Sequence, residues 1–209
     1  INGFSNGYWG WGAEDDDLLA RARVLDLDGR DAVFREVLAA DLEASVAVRA
    51  CGFETWRFSP RNNPLVFFNS VAELHPVETP GDGANLVARF QSMPGHLDDT
   101  IDNLRDGASA GRFNNASSTR LVMKMIEEQL AEPLEQWPLT APARVAHPDW
   151  DPAVLAAHRQ EVLSAVEAGV LPALKRWLAM LTEEILPFAR GDEVPGLASL
   201  PGGEACYAA

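Results

Sequence analysis

The sequence predicts a mainly α-helical protein, a bundle-like array of helices preceded by an irregular segment rich in Gly and Trp over residues 1–13. Two observations support this fold class. After residue 28, apolar residues recur at spacings of three and four, which is the period of a helix with one buried face. Clusters of Gly and Pro separate these stripes, as is typical of loops between helices. A chain of 209 residues is also long enough to bury a core.

The first long stripe predicts a helix from about residue 30 to 50. Charged residues alternate with its apolar members, which are Val33, Phe34, Val37, Leu38, Leu42 and Val46. The apolar run at 65–68 is too short to assign to a helix or a strand. The stripe over 86–104 predicts two short helices or one kinked helix, because Pro94 and Gly95 interrupt it.

The second half of the chain predicts more helices. Residues 121–130 form one stripe, and we interpret Asn115, in an Asn-Ala-Ser tripeptide, as the cap of that helix. The tripeptide could be a glycosylation acceptor only in a secreted chain. Asp151 and Pro152 are typical of the start of a helix.

A long apolar stripe continues from there to Ile185. Gly169 and Pro172 are expected to split or kink it, because glycine and proline disfavour the interior of a helix. The sequence therefore predicts two packed helices near residues 152–188. The Gly- and Pro-rich residues 191–207 predict a loop.

The charge balance is acidic, with 17 Lys and Arg against 31 Asp and Glu and a formal net charge of -14. Such a charge repels nucleic acid and anionic membrane surfaces, so we expect neither as a partner. The sequence has no apolar run long enough to span a bilayer, which predicts a soluble chain. Cys51 and Cys206 are too few and too far apart in sequence to indicate a disulfide framework or a zinc site, so we expect free thiols.

The sequence GYWGWGAEDDD at residues 7–17 carries the strongest functional signal. Carboxylates in the first turn of a helix are ordinarily explained by the helix dipole, and Asp17 precedes Arg21 by one turn. The preceding tryptophans favour a saccharide site, because aromatic faces suit the apolar faces of a sugar ring and carboxylates suit its hydroxyls. A metal site is disfavoured, since successive positions on a helix point in different directions.

Residues 1–21, INGFSNGYWGWGAEDDDLLAR, resemble the C-terminal acceptor-binding motif of the beta-1,4-galactosyltransferase family, with Ala13 in place of the family's second glycine. The resemblance implies that Asp15 is the catalytic base for the acceptor hydroxyl. It also implies that Glu14 and Asp16 bind the acceptor saccharide and that Trp11 belongs to a loop that closes over the donor. A complete transferase of this family implies manganese and a nucleotide sugar, for which this sequence shows no recognisable domain. We therefore expect this chain to bind no cofactor and to be inactive alone.

Residues 22–209 resemble the N-terminal helical part of the bacterial family called domain of unknown function 885. The resemblance rests on MPGHLDDTIDNLRDGASAGR (93–112), AGVLPALKRWLAMLTEEILPFAR (168–190) and VPGLASLPGGEACY (194–207), of which the last departs from the family pattern at Cys206. That family is similar to helical zinc peptidases, whose His-Glu and Pro-Gly-His elements are expected beyond residue 209. The two resemblances meet near residues 21–28 without a linker. We interpret this junction as either a truncated natural fusion or an erroneous gene model, and we favour the gene model.

The four histidines lack the His-x-x-x-His spacing of a metal site, so we expect solvated or helix-capping roles for them and no metal ligand. They are His75, His96, His147 and His158.

The sequence leads to three hypotheses about function. The first is a glycosyltransferase-type acceptor motif on a truncated or chimeric chain. The alternative is a helical fragment of a metallopeptidase-like protein without its zinc site, and the third is an interaction module.

Overall fold

A computed structural model describes residues 13–194 and 196–208, and within them it confirms the mainly α-helical prediction. No β-strand forms in these ranges. The predicted irregular segment lies outside the described residues apart from Ala13, where the first helix begins. The helices are α1 Ala13–Val24, α2 Gly29–Val48, α3 Pro64–Leu74, α4 Pro80–Ser109, α5 Ala116–Ala131, α6 Pro152–Ala165, α7 Leu171–Met180 and α8 Gly203–Ala208.

Side-chain caps explain where several of these helices begin. Asn115 accepts a hydrogen bond from the Ser118 amide at 2.7 Å, and Asp151 accepts one from the Ala153 amide at 2.8 Å. Both predicted caps are thereby confirmed. The run that the sequence left unassigned lies in α3, whose start Asn63 caps through the Val66 amide at 3.2 Å. Each cap satisfies an amide that the helix itself cannot pair.

Pro94 does not divide the stripe over residues 86–104, which lies within the single helix α4. The helix begins with a capping box between Thr79 and Asp82, and the Asp82 carboxylate accepts from the Thr79 amide at 2.8 Å. A proline removes one helical hydrogen bond. Leu86, Phe90, Met93 and Leu97 are fully buried on both sides of it, and this continuous buried face favours one helix over two.

The prediction of two packed helices near residues 152–188 is wrong, because α6 and α7 form one continuous helical run. A π-helical turn at Val166–Val170 joins them, and a second one at Leu181–Ile185 follows α7. A π-helical turn absorbs an extra residue without ending the helix. Gly169 has a packing role instead, since a Cβ built at this position would lie 3.1 Å from Cγ of Pro94.

The main hydrophobic core lies between α4 and this helical run, with α3 and α5 packed against it. Its largest fully buried side chains come from α3, α4, α5 and the helical run. They include Phe68, Phe90, Leu97, Ile126, Leu174 and Trp177. No helix in the described ranges is long and apolar enough to cross a membrane.

The α1–α2 pair has a separate and much smaller core, formed by Leu19, Ala39 and Leu42 with Val46 packed against it. The predicted stripe of α2 is therefore buried only towards its C-terminal end. Its N-terminal members remain exposed, and Phe34 retains 56% of its accessible surface. In the described part of the chain, no other helix covers this face.

Cys51 and Cys206 form a disulfide, so the prediction of free thiols is wrong. Cys51 ends the short 3-10 helix Arg49–Cys51 after α2, and Cys206 lies in α8. Their Cα atoms are 4.7 Å apart despite a sequence separation of 155 residues. Sequence separation gives no measure of distance once tertiary contacts bring two segments together. The predicted loop at 191–207 accordingly ends in a helix.

The disulfide should stabilise the fold, because it closes a long loop in the unfolded chain. We expect Cys206→Ser to lower the free energy of unfolding by on the order of 2–5 kcal/mol, measured by urea denaturation without reductant. Dithiothreitol should lower the stability of the wild type by a similar amount and leave the variant unchanged. Tyr207→Ser is the matched control, since this neighbour is 82% exposed. Two thiols titrating in the folded, unreduced wild type would contradict the disulfide.

Candidate functional site

Asp15 and Asp16, the two predicted site residues whose side chains are described, both form ion pairs with Arg49. The Asp15 carboxylate lies 3.8 Å from the Arg49 guanidinium, and Asp16 makes the closer contact. The antiparallel arrangement of α1 and α2 places the first turn of α1 beside the end of α2. Asp15 is the more buried carboxylate, with 22% of its side chain exposed against 54% for Asp16.

The structure does not show how the rest of the predicted saccharide site is arranged. Trp11 and the side chain of Glu14 lie outside the described residues. Asp17, the next carboxylate, pairs with Arg21 at 3.5 Å, as its one-turn spacing predicts. The described part of the acidic run therefore pairs with Arg21 and Arg49. The Arg21 pair lies within α1, and the Arg49 pairs connect the start of α1 to the end of α2.

A cavity of about 60 Å³ lies beside the main core and is lined by four separate parts of the chain. Phe58 comes from the segment before α3, Asn63 from the start of α3, His96 and Asn103 from α4, and Trp177 from α7. The indole of Trp177 is fully buried and His96 is 6% exposed. The prediction that His96 is solvated or caps a helix is therefore wrong. No spacing in the sequence indicates this cavity, because its lining is assembled only by tertiary packing.

The polar groups of this cavity differ in how fully they are paired. The Asn63 carboxamide is occupied by its cap and by the Ser59 carbonyl, to which it donates at 2.9 Å. The Thr100 hydroxyl donates to the His96 carbonyl at 2.9 Å. Within the described ranges, Nε1 of Trp177 is buried and has no hydrogen-bond partner. A buried donor left in this state costs about 1–3 kcal/mol.

Burial and aromatic neighbours determine the state of His96. Its ring lies 6.0 Å from that of Phe68 in an edge-to-face arrangement and 6.3 Å from that of Phe67. Desolvation lowers the pKa of His96, and the charge of Asp99 partly opposes this effect. The imidazole is consequently neutral near pH 7, with one nitrogen that donates and one that accepts.

Two other histidines pack around Trp150 at the start of α6. His147 stacks on the indole with ring centroids 4.3 Å apart, and His158 meets it edge-on at 5.4 Å. Nε1 of Trp150 donates to the Glu78 carbonyl at 3.1 Å, which ties this cluster to the start of α4. His158 is 5% exposed, so the solvated or capping role predicted for it is also wrong. His75, by contrast, occupies the C-cap position of α3.

Gly83 shows how closely this histidine cluster packs. A Cβ at Gly83 would lie 2.9 Å from Nδ1 of His158 and 2.9 Å from the Trp150 ring. Glycine at this position lets α4 approach both rings. Nε2 of His147 and Nε2 of His158 are buried without hydrogen-bond partners in the described residues. Burial of His158 lowers the pKa of its imidazole, which favours the neutral ring.

Charged groups of α4 pair with charged groups of α7 and of the π-helical turn that follows it. Arg105 donates two hydrogen bonds to Glu184, at 2.7 and 2.9 Å, and Arg176 does the same to Asp98. The Arg105 guanidinium lowers the pKa of Glu184. These pairs line an open groove and connect α4 to the helical run at the surface, where such contacts contribute little to stability.

The described residues do not fit the zinc implied by the helical peptidase resemblance. No group of three or more His, Cys, Asp or Glu side chains within residues 13–194 and 196–208 could hold a metal ion. Catalytic zinc sites use three protein ligands. His96 lies in the cavity beside Trp177, whereas His147 and His158 belong to the cluster around Trp150.

Comparison with known proteins gives one extensive match and a few short ones. The model of the family described as Bacterial protein of unknown function (DUF885) matches residues 11–209, which include the acidic run and every described helix. Beta-1,4-galactosyltransferase 4 of Homo sapiens and that of Mus musculus are each 67% identical to the chain over 24 residues. This match covers 12% of the chain and only 7% of each relative. No solved structure shows a significant match.

The buried state of His158 should make stability depend on pH. Desolvation is the largest effect lowering the pKa of His158 below its ordinary 6.5; His147 and Arg159 add to it and Glu161 opposes it. The unfolded chain then takes up a proton at higher pH than the folded chain, so stability rises with pH in this window. The contribution is complete above about pH 6.5 and is lost as the pH falls towards the folded pKa.

Urea denaturation at several pH values between about 7.5 and 5.5 measures this effect. We expect the wild type to lose stability on acidification and His158→Gln to lose less, because the variant has no buried imidazole to protonate. Gln160→Ala is the control for a change in α6, since Gln160 is exposed. An equal loss in the wild type and His158→Gln would show that His158 does not contribute.

Proposed function

Because the chain belongs to the bacterial protein family of unknown function DUF885, we propose that it is a helical scaffold within a metallopeptidase-like protein and has no zinc site of its own. The observation that carries this proposal is the extent of the family match, which runs from residue 11 to residue 209. The family resemblance to helical zinc peptidases supplies the enzyme class. In this proposal the zinc ligands belong to another part of such a protein.

The packing of the described residues supports a scaffold role. Most of the buried side chains between α4 and the helical run are apolar. Buried polar groups such as Asn63 and Asn114 serve local structure; the Asn114 amide donates to the Phe58 carbonyl at 2.6 Å. An apolar core of this kind keeps the helices in fixed positions, which is what a scaffold for a catalytic site formed by other residues requires.

Zinc analysis of the purified chain tests this proposal. After dialysis against buffer without chelator, we expect well below one zinc per chain, because no three His, Cys, Asp or Glu side chains of the described residues form a group that could hold the ion. A family member that carries the His-Glu motif is the positive control and should retain one zinc. The peptide hydrolysis rate of this chain should equal the rate in buffer. One tightly bound zinc per chain, lost in His147→Ala or His96→Ala, would contradict the proposal.

A second candidate function, saccharide binding of the glycosyltransferase acceptor type, is favoured by the 67% identity over 24 residues to beta-1,4-galactosyltransferase 4. In this proposal Asp15 accepts a proton or hydrogen bond from an acceptor hydroxyl, and Glu14, Asp16 and Trp11 bind the sugar ring. The partial exposure of Asp15 and Asp16 supports access from solvent. The proposal concerns binding, since transfer also requires a nucleotide sugar.

Isothermal titration with N-acetylglucosamine tests the saccharide site. We expect measurable heat with the wild type and a loss of affinity of about tenfold or more in Asp15→Asn, because a hydrogen bond to a charged acceptor becomes a weaker neutral one. Asp17→Asn is the matched control, since Asp17 pairs with Arg21 and not with Arg49. Circular dichroism should show that both variants remain helical. Absence of heat with the folded wild type would count against the site.

A further inference from the structure

The helix α2 presents four neighbouring apolar side chains to solvent. Val33, Phe34, Val37 and Leu38 lie on successive turns, and each retains half or more of its accessible surface. These four residues form the outer face of α2. Single exposed apolar residues are common on protein surfaces, whereas a contiguous group marks a contact with another molecule more often. The outer face of α2 is therefore a candidate interface.

The neighbouring helix α1 packs against a different side of α2. Leu19 of α1 belongs to the same small core as Ala39 and Leu42, which are the buried residues of α2. A helix turns by about 100° per residue, so these two positions lie roughly opposite Phe34 and Val37. The contact with α1 thus leaves the outer face of α2 accessible to a partner.

A charged residue lies at each end of the outer face, and the two charges are opposite in sign. Arg30 precedes Phe34 by four residues, and Asp41 follows Val37 by four. Spacings of four, three and four are those of the contact seam in a coiled coil. Both charged side chains are exposed, and neither forms an ion pair within the described residues. The Arg30 guanidinium lies over the Phe34 ring instead, 5.1 Å from its centroid.

These positions make the outer face complementary to a second copy of itself. In an antiparallel pair of α2 helices with the twofold axis between residues 35 and 36, Phe34 of one copy lies opposite Val37 of the other. Val33 then lies opposite Leu38, and the arginine at one end lies opposite the aspartate of the other copy. A parallel pair would place like charges opposite each other, which disfavours association. The charges therefore favour an antiparallel pair.

We propose that the outer face of α2 is a dimer interface, in which two copies of this chain pack their α2 helices antiparallel about a twofold axis. Symmetric dimers commonly use one patch that is complementary to itself, and polar residues at seam positions specify the register. Two helices of this length bury less area than a standard interface, so the dimer dissociates at concentrations on the order of 10 µM. The inference goes beyond the proposed scaffold role and depends on neither zinc nor a saccharide.

Sedimentation equilibrium of the full chain at several concentrations tests this interface. We expect the wild type to show a monomer–dimer equilibrium. Phe34→Ser should weaken association about tenfold or more, because an aromatic side chain near the centre of an interface contributes strongly to affinity. Leu121→Ser on α5 is the matched control, since Leu121 is 52% exposed and lies outside the outer face. Circular dichroism should show that both variants remain helical, because neither residue is buried.

Charge reversals test the antiparallel orientation. Arg30→Glu and Asp41→Arg should each weaken association about tenfold or more, because each places like charges opposite each other at both ends of the dimer. The double variant that carries both reversals should recover the wild-type affinity, since opposite charges then meet again. In a parallel dimer, all of these variants would keep like charges opposite each other, and the affinity would not change.

Three results would overturn the proposal. The first is a wild type that stays monomeric at about 1 mM; binding of this monomer to phosphatidylcholine vesicles, lost in Phe34→Ser, would identify a lipid surface as the occupant instead. The second is a dimer whose affinity Phe34→Ser leaves unchanged, which would place the interface elsewhere. The third is a double charge variant that associates no better than the single variants. None of these results affects the zinc test, so the two proposals fail separately.

Discussion

The close packing of α4 against the helical run from α6 to α7 is the contact on which the rest of the described structure depends. Both surfaces present fully buried apolar side chains, among them Phe90 and Leu97 on α4 and Val166 and Leu174 on the run. Each such side chain contributes about 1.5–3 kcal/mol when removed from water. Pro94 and Gly169 meet where the helices approach closely, because glycine leaves room for the proline ring.

This contact also determines where the buried polar groups lie. It places Trp177 beside His96 and Asn103, so the cavity exists only because α4 and α7 pack at this register. Close to the start of α4, the absence of a side chain at Gly83 admits Trp150 and His158. The same helix therefore lines a small cavity along its length and a histidine cluster at its start.

The α1–α2 pair is held differently, and this affects how its acidic run can be interpreted. Its own core is small, and its ion pairs with Arg49 are partly exposed, where such contacts stabilise little. The disulfide ties the end of α2 to α8 covalently. A saccharide site at Asp15 and Asp16 would thus sit on a part of the chain with few buried contacts, which is where local opening is easiest.

The sequence by itself determined the helical class, the positions of most helices and the caps at Asn115 and Asp151, because these depend on residues within one or two turns. Tertiary structure alone decided whether Pro94 and Gly169 break a helix, since their effect depends on what packs against them. It also decided that Cys51 meets Cys206 and that His96 and His158 are buried. Burial and pairing between distant segments follow from the summed packing of the whole core, which no local pattern of residues contains.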